Sequence, residues 1–446
     1  MLLCASLVSI SFCSCICDQA GAAESTEDSI ALYADAANFQ TGGATELAID
    51  SWKKFLDRYP DDDLASKAAH YLGVCYMQKN DPDYVAAAEA FGTALRDKKY
   101  DLREESLANQ GWCLYASAGE GQKRDPTRLK QTIATFETLR KENPNSDYID
   151  RAYFYSGEAA YGLGQREQAI KLYNDFLNLP KATDSPLRCD ALYARGIAYE
   201  ELDQTEKAVA SFKQLLDDCG GSQLATDVHL RLGDLMIMQR DYAAAVDAFE
   251  NAIESSEADA DKSYAIFRQA YALVQGGKPN DAATRYDRLQ KEFPDSPYAA
   301  NATLAAGQSL YRGGDSDQAA QRFRQVLTHD NPIAATEAAH WLARIMISKG
   351  DSATAASIAK ERIGVGAEGD FEVDLKVDLA EALSMTPETI QESIAVAEQA
   401  YRDAPDDLLA PRALYNAAFS ALQINDYEKA GDLAAEFLKR FDNDQL

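Results

Sequence analysis

The sequence predicts an all-α fold, a right-handed solenoid of about eleven stacked helical hairpins. Composition is the first reason: across 446 residues alanine is abundant, β-branched runs are scarce, and no segment alternates like a half-buried strand. The second is a recurring phrase, "RYPDDDLASKAAHYLG" at 58–73, "ENPNSDYIDRAYFYSG" at 142–157 and "EFPDSPYAANATLAAG" at 292–307. In each, a glycine (Gly73, Gly157, Gly307) follows a proline (Pro60, Pro144, Pro294) by thirteen residues. A device copied along a chain marks a repeat architecture.

Aligning on the glycine exposes the third. An alanine stands twelve residues after the small residue, and an aromatic four further on. Ala36–Ala48–Trp52, Gly157–Ala169–Tyr173 and Gly196–Ala208–Phe212 keep this spacing, as do Gly233–Ala245–Phe249, Ala270–Ala282–Tyr286 and Gly307–Ala319–Phe323. Gly73–Ala87–Phe91 carries two extra residues, and Gly111–Thr132–Phe136 carries nine, in the polar stretch "SAGEGQKRDPTR". Late in the chain the aromatic becomes small, in Ala343–Ala355–Ala359 and Ala418–Ala430–Ala434, with a weaker unit near Ala380. Successive small residues lie 36 to 39 apart, except 46 across the long insertion.

Helix packing explains the spacing. A small residue on the first helix of a pair lets the second approach at its own alanine, and the aromatic one turn on fills the gap to the next pair. Proline eight residues past the aromatic ends the second helix. Ser296 with Pro297, and Ser185 with Pro186, are then expected to cap and open the helix that follows. The predicted organisation is a leader at 1–23 and an array over 29–363. Its units lie near 29–63, 64–101, 102–146, 147–184, 185–221, 222–258, 259–295, 296–331 and 332–363. Divergent units over 371–441 continue it, and "GVGAEGDFE" (364–372) is the candidate hinge.

The leader "MLLCASLVSISFCSCIC" is apolar and is followed by small residues suited to signal cleavage after Ala22 or Ala23. It has no Lys or Arg before its apolar core, so a mis-assigned start on a cytosolic protein stays open as the alternative. Cys4, Cys13, Cys15 and Cys17 lie in the leader, and none has the neighbours a lipid-attached cysteine needs. Membrane association is expected at most through this segment. The formal charge of −28, from 44 basic and 72 acidic residues spread along the chain, speaks against nucleic acid and anionic lipid as partners.

With its small, alanine, aromatic and proline positions, the unit resembles the tetratricopeptide repeat, over about residues 29 to 441. Joints such as "FPDSPYAANA" and "YPDDDLASKAA" look more like the envelope branch of that family, the periplasmic Tol-Pal accessory protein and the BamD-type assembly lipoproteins. The resemblance implies a scaffold of helical hairpins whose first helices line a concave groove, and in that branch a periplasmic setting.

On such first helices, positions three before, one after and four after the small residue share a face. They hold Trp112 and Tyr115; Phe154, Glu158 and Tyr161; Tyr193 and Glu200; Asp234; Phe267 and Tyr271; and Tyr311. Aromatics with interleaved carboxylates suit a protein or peptide segment bearing basic or apolar side chains. An acidic C-terminal peptide, gripped by Lys and Asn at these positions in the co-chaperone version of the repeat, is not expected.

No catalytic constellation, cofactor or metal set is expected. His70, His229, His329 and His340 show no pairing with Glu or Cys at zinc spacing. His70 and His340 fall on the groove face, where recognition is the expected role. "LVQGGK" and "YRGGD" read as inter-helix turns, and "DPDY" and "DSDQ" as second-helix N-termini where carboxylates cap. Cys189 near the start of one helix and Cys219 past the end of its partner meet in a hairpin. A disulfide there is geometrically allowed, with two separate buried thiols as the alternative.

Overall fold

The computed structural model describes residues 24–328 and 331–441; the leader with its four cysteines, and His329, lie outside the described residues. Among the described residues there are 22 α-helices, three short 3₁₀ turns and no strand. The chain divides into two compact units, Met1–Asp218 and Cys219–Leu446.

The first unit holds α1 (Glu27–Thr41) with α2 (Thr45–Arg58), α3 (Ala65–Gln78) with α4 (Tyr84–Ala94), and α5 (Arg103–Ala116) with α6 (Pro126–Glu142). It ends with α7 (Ile149–Gly162) and α8 (Arg166–Leu177), then α9 (Arg188–Glu200) and α10 (Thr205–Cys219). The second holds α11 (Ala225–Met238) with α12 (Tyr242–Ser255), α13 (Asp259–Gln275) with α14 (Pro279–Glu292), and α15 (Ala299–Arg312) with α16 (Ser316–Val326). It continues through α17 (Pro332–Ser348) and α18 (Ser352–Gly364), α19 (Glu372–Ser384) and α20 (Ile390–Asp403), and α21 (Ala410–Gln423) and α22 (Tyr427–Arg440). Within each unit neighbouring helices pack on one another, an all-α solenoid of hairpins. First helices two elements apart also touch: α5 with α7, α11 with α13, α15 with α17, α17 with α19, α19 with α21. Second helices make no comparable contact among the described residues, so the first-helix side of each stack is the tighter one.

The joints are built by proline, one residue at a time. The residue before a proline is pushed out of the helical region. Tyr59, Asn143, Phe293 and Ala404 all take φ between −132° and −140° with ψ of 57° to 71°, and α2, α6, α14 and α20 stop there. Two residues past each proline, a short polar side chain accepts from the backbone N–H two further on. Asp62 accepts from Leu64 at 2.9 Å, Ser146 from Tyr148 at 3.0 Å, Ser296 from Tyr298 at 3.3 Å and Asp407 from Leu409 at 2.8 Å. The next helix opens only after that turn. Ser296 and Ser185 are therefore not helix caps: α15 starts at Ala299 and α9 at Arg188, and each serine closes the turn before it. Carboxylates do cap second helices. Asp83, Asp241, Asp315, Asp351 and Asp426 each accept from the N–H three residues on, at 2.9 to 3.1 Å.

The small-to-aromatic spacing has a more direct cause than expected. The ring does not chiefly fill the gap to the next pair; it occupies the glycine's missing side chain within its own hairpin. A Cβ placed on Gly73, Gly111, Gly157, Gly196, Gly233 or Gly307 would lie 2.4–2.8 Å from the ring of Phe91, Phe136, Tyr173, Phe212, Phe249 or Phe323 respectively. Each of those rings is fully buried. Some then reach the next hairpin with their other face, as Phe136 does on Tyr155 (6.4 Å, 17° between planes). The last described pair departs from the pattern: Ala430 is buried but Ala434 is exposed.

In the expected hinge, 364–372, residues 365–371 form a pinned loop between α18 and α19. Glu368 N–H donates to Thr336 Oγ1 at 3.0 Å, and Phe371 lies 5.2 Å from His340 and 6.3 Å from Trp341. Both α17 and α18 pack on α19, so the stack continues across the loop.

Gly233→Ala tests the ring-in-glycine device. Helix propensity alone would favour alanine by about 1 kcal/mol. The added carbon at 2.5 Å from Phe249 Cζ should reverse that, lowering stability by about 1–3 kcal/mol in urea denaturation. Gly233→Ala with Phe249→Leu should recover part of the loss, and additive losses would refute the coupling.

Candidate partner-binding surface

Where neighbouring first helices touch, positions one and four after the small residue meet the next hairpin rather than open space, as Asp234, Tyr115 and Tyr161 do. The predicted stripe accordingly splits into three groups. Phe154 is only 7% exposed and belongs to the core, with ring centroids 5.2 Å from Tyr155 and 6.3 Å from both Tyr173 and Phe176. Trp112, Tyr193 and Phe267 are half-buried: Trp112 meets Tyr84 edge-on at 4.8 Å, Tyr193 lies 6.2 Å from Phe212, and Phe267 stacks on Tyr298 at 5.2 Å.

A second group forms polar bridges. Glu158 accepts from the Tyr115 hydroxyl at 3.1 Å and from the Tyr173 hydroxyl at 2.6 Å, while Arg124 donates to the Tyr115 oxygen at 3.1 Å. Tyr161 and Arg166 both donate to Glu201. Asp234 takes the Tyr264 hydroxyl and the Arg268 Nε, each at 2.7 Å. Burial, with the adjoining carboxylate adding to it, pushes the Tyr161 and Tyr264 phenols up to about 12, and the Tyr115 phenol likewise, so all remain hydroxyl donors at neutral pH. These acids are thus met from inside the array, by tyrosine hydroxyls and by arginines. Arg268, 34 residues after Asp234, was the available signal: a charge of opposite sign almost one repeat on.

What stays accessible is aromatic. Tyr271 is 38% exposed beneath the Arg268 guanidinium (5.4 Å), and Tyr311 is 36% exposed beside Trp341 (5.4 Å). Both sit on first helices of the second unit, α13 and α15. Glu200 is half-buried on α9.

Neither groove-face histidine is presented for recognition. His70 is 2% exposed and its Nδ1 lies 2.7 Å from Ser106 Oγ, which also takes the Tyr100 hydroxyl. Glu105 stands 4.0 Å from the other ring nitrogen, completing a serine–histidine–acid set. Ser106 is fully buried, so no substrate reaches it and the set is structural. His340 Nδ1 lies 2.6 Å from Asp378, itself 2% exposed; Arg344 reaches Asp378 at 3.4 Å and Glu381 at 2.7 Å, and Arg412 also bonds Glu381. Asp378 is the buried charge of the set, and removing both His340 and Arg344 would leave it uncompensated.

One concavity lay outside the sequence reading. Between α4 and α6, floored by α5, is a cleft of about 380 Å³ with Val85, Ala88, Gln110, Leu114, Arg128 and Gln131 on its walls. The nine-residue insertion shapes it: Asp125 N–H returns to the Ala118 carbonyl at 2.7 Å, and Arg128 donates to the Ser117 carbonyl at 2.5 Å. Its mixed lining lacks a convergent nucleophile, base or metal set. Among the described residues no group of three or more His, Cys, Asp or Glu is placed to hold a metal ion, and no helix is long and apolar enough to cross a membrane.

Comparison with known proteins agrees with this architecture. A family model described as a tetratricopeptide repeat-like domain matches residues 257–417, and a tetratricopeptide repeat model matches 151–181 and 190–222. No curated protein sequence gives a match. Similar solved structures include a tetratricopeptide repeat protein from Parabacteroides merdae (19% identity, 63% of this chain and 98% of that one, TM-score 0.36). PilF of Pseudomonas aeruginosa is similar at 15% identity (54% and 96% covered, TM-score 0.36). YrrB, described as a TPR protein with an unusual peptide-binding site, is similar at 18% identity (45% and 95% covered, TM-score 0.35).

Burial pushes the His70 imidazole down to about 4. Its folded value lies below the unfolded one of about 6.5, so the unfolded chain binds the proton first. The stabilising contribution is whole above about pH 6.5 and is lost as pH falls toward 4. Between about pH 7.5 and pH 5 it should shrink by on the order of 2 kcal/mol. His70→Gln should flatten that part of the urea-denaturation profile, and an unchanged acid slope would contradict the assignment.

Proposed function

This chain carries tetratricopeptide repeats, and from that premise we propose that it is a non-catalytic scaffold that holds segments of partner proteins. The observation that carries the reading is the exhaustive use of the chain by hairpins: from Glu27 to Arg440 the described residues are helices paired by short turns, with no second fold left over for catalysis. Tetratricopeptide repeat proteins generally mediate protein–protein interactions, and this chain is assigned that general role.

The docking place we favour is the first-helix face around Tyr271 and Tyr311. Two exposed rings roughly one repeat apart suit an extended or helical segment with apolar or basic side chains. The formal charge of −28 favours a basic partner by long-range attraction. The α4–α6 cleft is the second candidate, supported by its volume of about 380 Å³ beside the insertion.

Tyr271→Ala with Tyr311→Ala should abolish in-cell cross-linking to the partner while leaving the helical circular dichroism unchanged. Both rings are partly exposed, so folding should survive, whereas Asp234→Lys would break the Tyr264 and Arg268 bonds and confuse the result. Capture that persists would move the site to the α4–α6 cleft or the loops.

We place the protein in the cell envelope, on the leader's composition, the resemblance of its joints to envelope repeats and the Cys189–Cys219 pair, which an oxidising compartment would allow to bond. Fusing residues 1–30 to a reporter active only after export should give a signal. A silent fusion would favour the cytosolic alternative.

A further inference from the structure

Every internal hairpin of the second unit is covered on its far side by the next. The last described hairpin is not, and its open side is apolar on both helices. On α21, Tyr415, Phe419 and Leu422 fall three before, one after and four after Ala418, the positions at which His70, Asp234 and Tyr115 meet the following first helix in other hairpins. They are 43%, 50% and 50% exposed, and the two rings stack in parallel (8° between planes, 6.2 Å). On α22, Tyr427, Gly431, Ala434 and Leu438 follow one another by four, three and four residues, a single helical stripe. Tyr427 and Leu438 are 68% and 67% exposed, Ala434 is exposed, and a Cβ on Gly431 would meet nothing within 4 Å. The residues aligned with Gly431 and Ala434 in α16 are Ala320 and Phe323, exposed by 2% and 0%. In a stack of hairpins such an apolar face is buried against a neighbour.

We propose that this face binds a second copy of the same chain, in a two-fold symmetric contact with α22 antiparallel to its counterpart. The stripe is self-complementary. It is bulky at its two ends and small in its middle, so antiparallel pairing sets Tyr427 against the other copy's Leu438 and brings Gly431 and Ala434 together for close backbone approach. The charges beside the stripe agree. Glu428 and Lys439 lie on the same flank near opposite ends of the helix, so the antiparallel arrangement sets each against the opposite charge of the other copy, twice by symmetry. Head-to-tail stacking onto α1 fits worse: α1 carries Glu27, Asp28 and Asp35 and would bring like charge to Glu428 and Asp432. The open face extends along a helix about 21 Å long, and α21 widens it with three further apolar residues.

Sedimentation equilibrium of the full chain should show a monomer–dimer equilibrium. Leu438→Asp should weaken dimerisation at least about tenfold. Lys439→Glu should weaken it by roughly fivefold or more, and adding Glu428→Lys to Lys439→Glu should restore it to within about twofold, because the pair is exchanged rather than removed. A surface charge reversal leaves the hairpin foldable, so the exchange reads the contact itself. A monomer at every concentration overturns the proposal, as does a dimer indifferent to these changes. A ladder of growing oligomers abolished by Ile30→Asp would establish head-to-tail stacking instead and overturns it equally. Partner capture at Tyr271 and Tyr311 is read separately, and either result can fail without the other.

Discussion

The contact on which the structure depends is an aromatic ring seated in the side-chain space a glycine leaves empty. It sets how closely the two helices of a hairpin approach, and among the described residues six of eleven hairpins use it with a Phe or Tyr. The ring buries a large apolar area, and the glycine admits it at van der Waals distance, so each enforces the other. Glycine in mid-helix is otherwise unfavourable by about 1 kcal/mol relative to alanine. Its repeated use there is explained only by the ring opposite. The Ala343–Ala359 pair reaches a close approach by the other route, with small, fully buried residues on both sides.

Tight stacking on the first-helix side has a consequence for binding. A face pressed against its neighbours is not an open groove, and Tyr115, Glu158, Tyr161 and Asp234 of the predicted stripe are taken up by bonds between hairpins. Glu158 accepts from two tyrosine hydroxyls, Asp234 from a tyrosine hydroxyl and an arginine, and Phe154 is in the core. Such acids have little left to offer a cationic ligand, because a second cation would compete with hydrogen bonds already formed in a partly desolvated site. The side chains that outreach the packing are Tyr271 and Tyr311, and the proposed docking place is therefore built on them.

The fold was legible because its determinants are local and periodic. Small, alanine, aromatic and proline positions recur at fixed offsets, and each offset maps onto a contact within one hairpin or across one joint. The helix starts were less legible. Ser296–Pro297 has the composition of a cap followed by a first helical residue, yet the same dipeptide serves a turn, and only the preceding Pro294 distinguishes the two. The stripe was misjudged for a related reason. Spacing on one helix says which residues share a face, not what stands opposite, and that depends on how far successive first helices are pressed together. The α4–α6 cleft had no periodic signature, since an insertion is by nature a departure from the period.

The two histidines show how far one position can diverge within such an array. His70 and His340 both lie three residues before the small residue of their first helix, where other hairpins place Phe154, Tyr193, Phe267 or Leu304. A buried imidazole there must find a polar partner, and in each case the following hairpin supplies it. Ser106 offers His70 a neutral hydroxyl, and burial then holds that ring uncharged. Asp378 offers His340 a carboxylate already shared with Arg344. Because each hairpin touches mainly its immediate neighbours, the two solutions do not interfere, and a polar substitution in one needs compensation only in the next. That locality lets the array keep one backbone design from end to end while its accessible residues, Tyr271 and Tyr311 on one face and Tyr415, Phe419 and Leu438 at the last hairpin, differ from unit to unit.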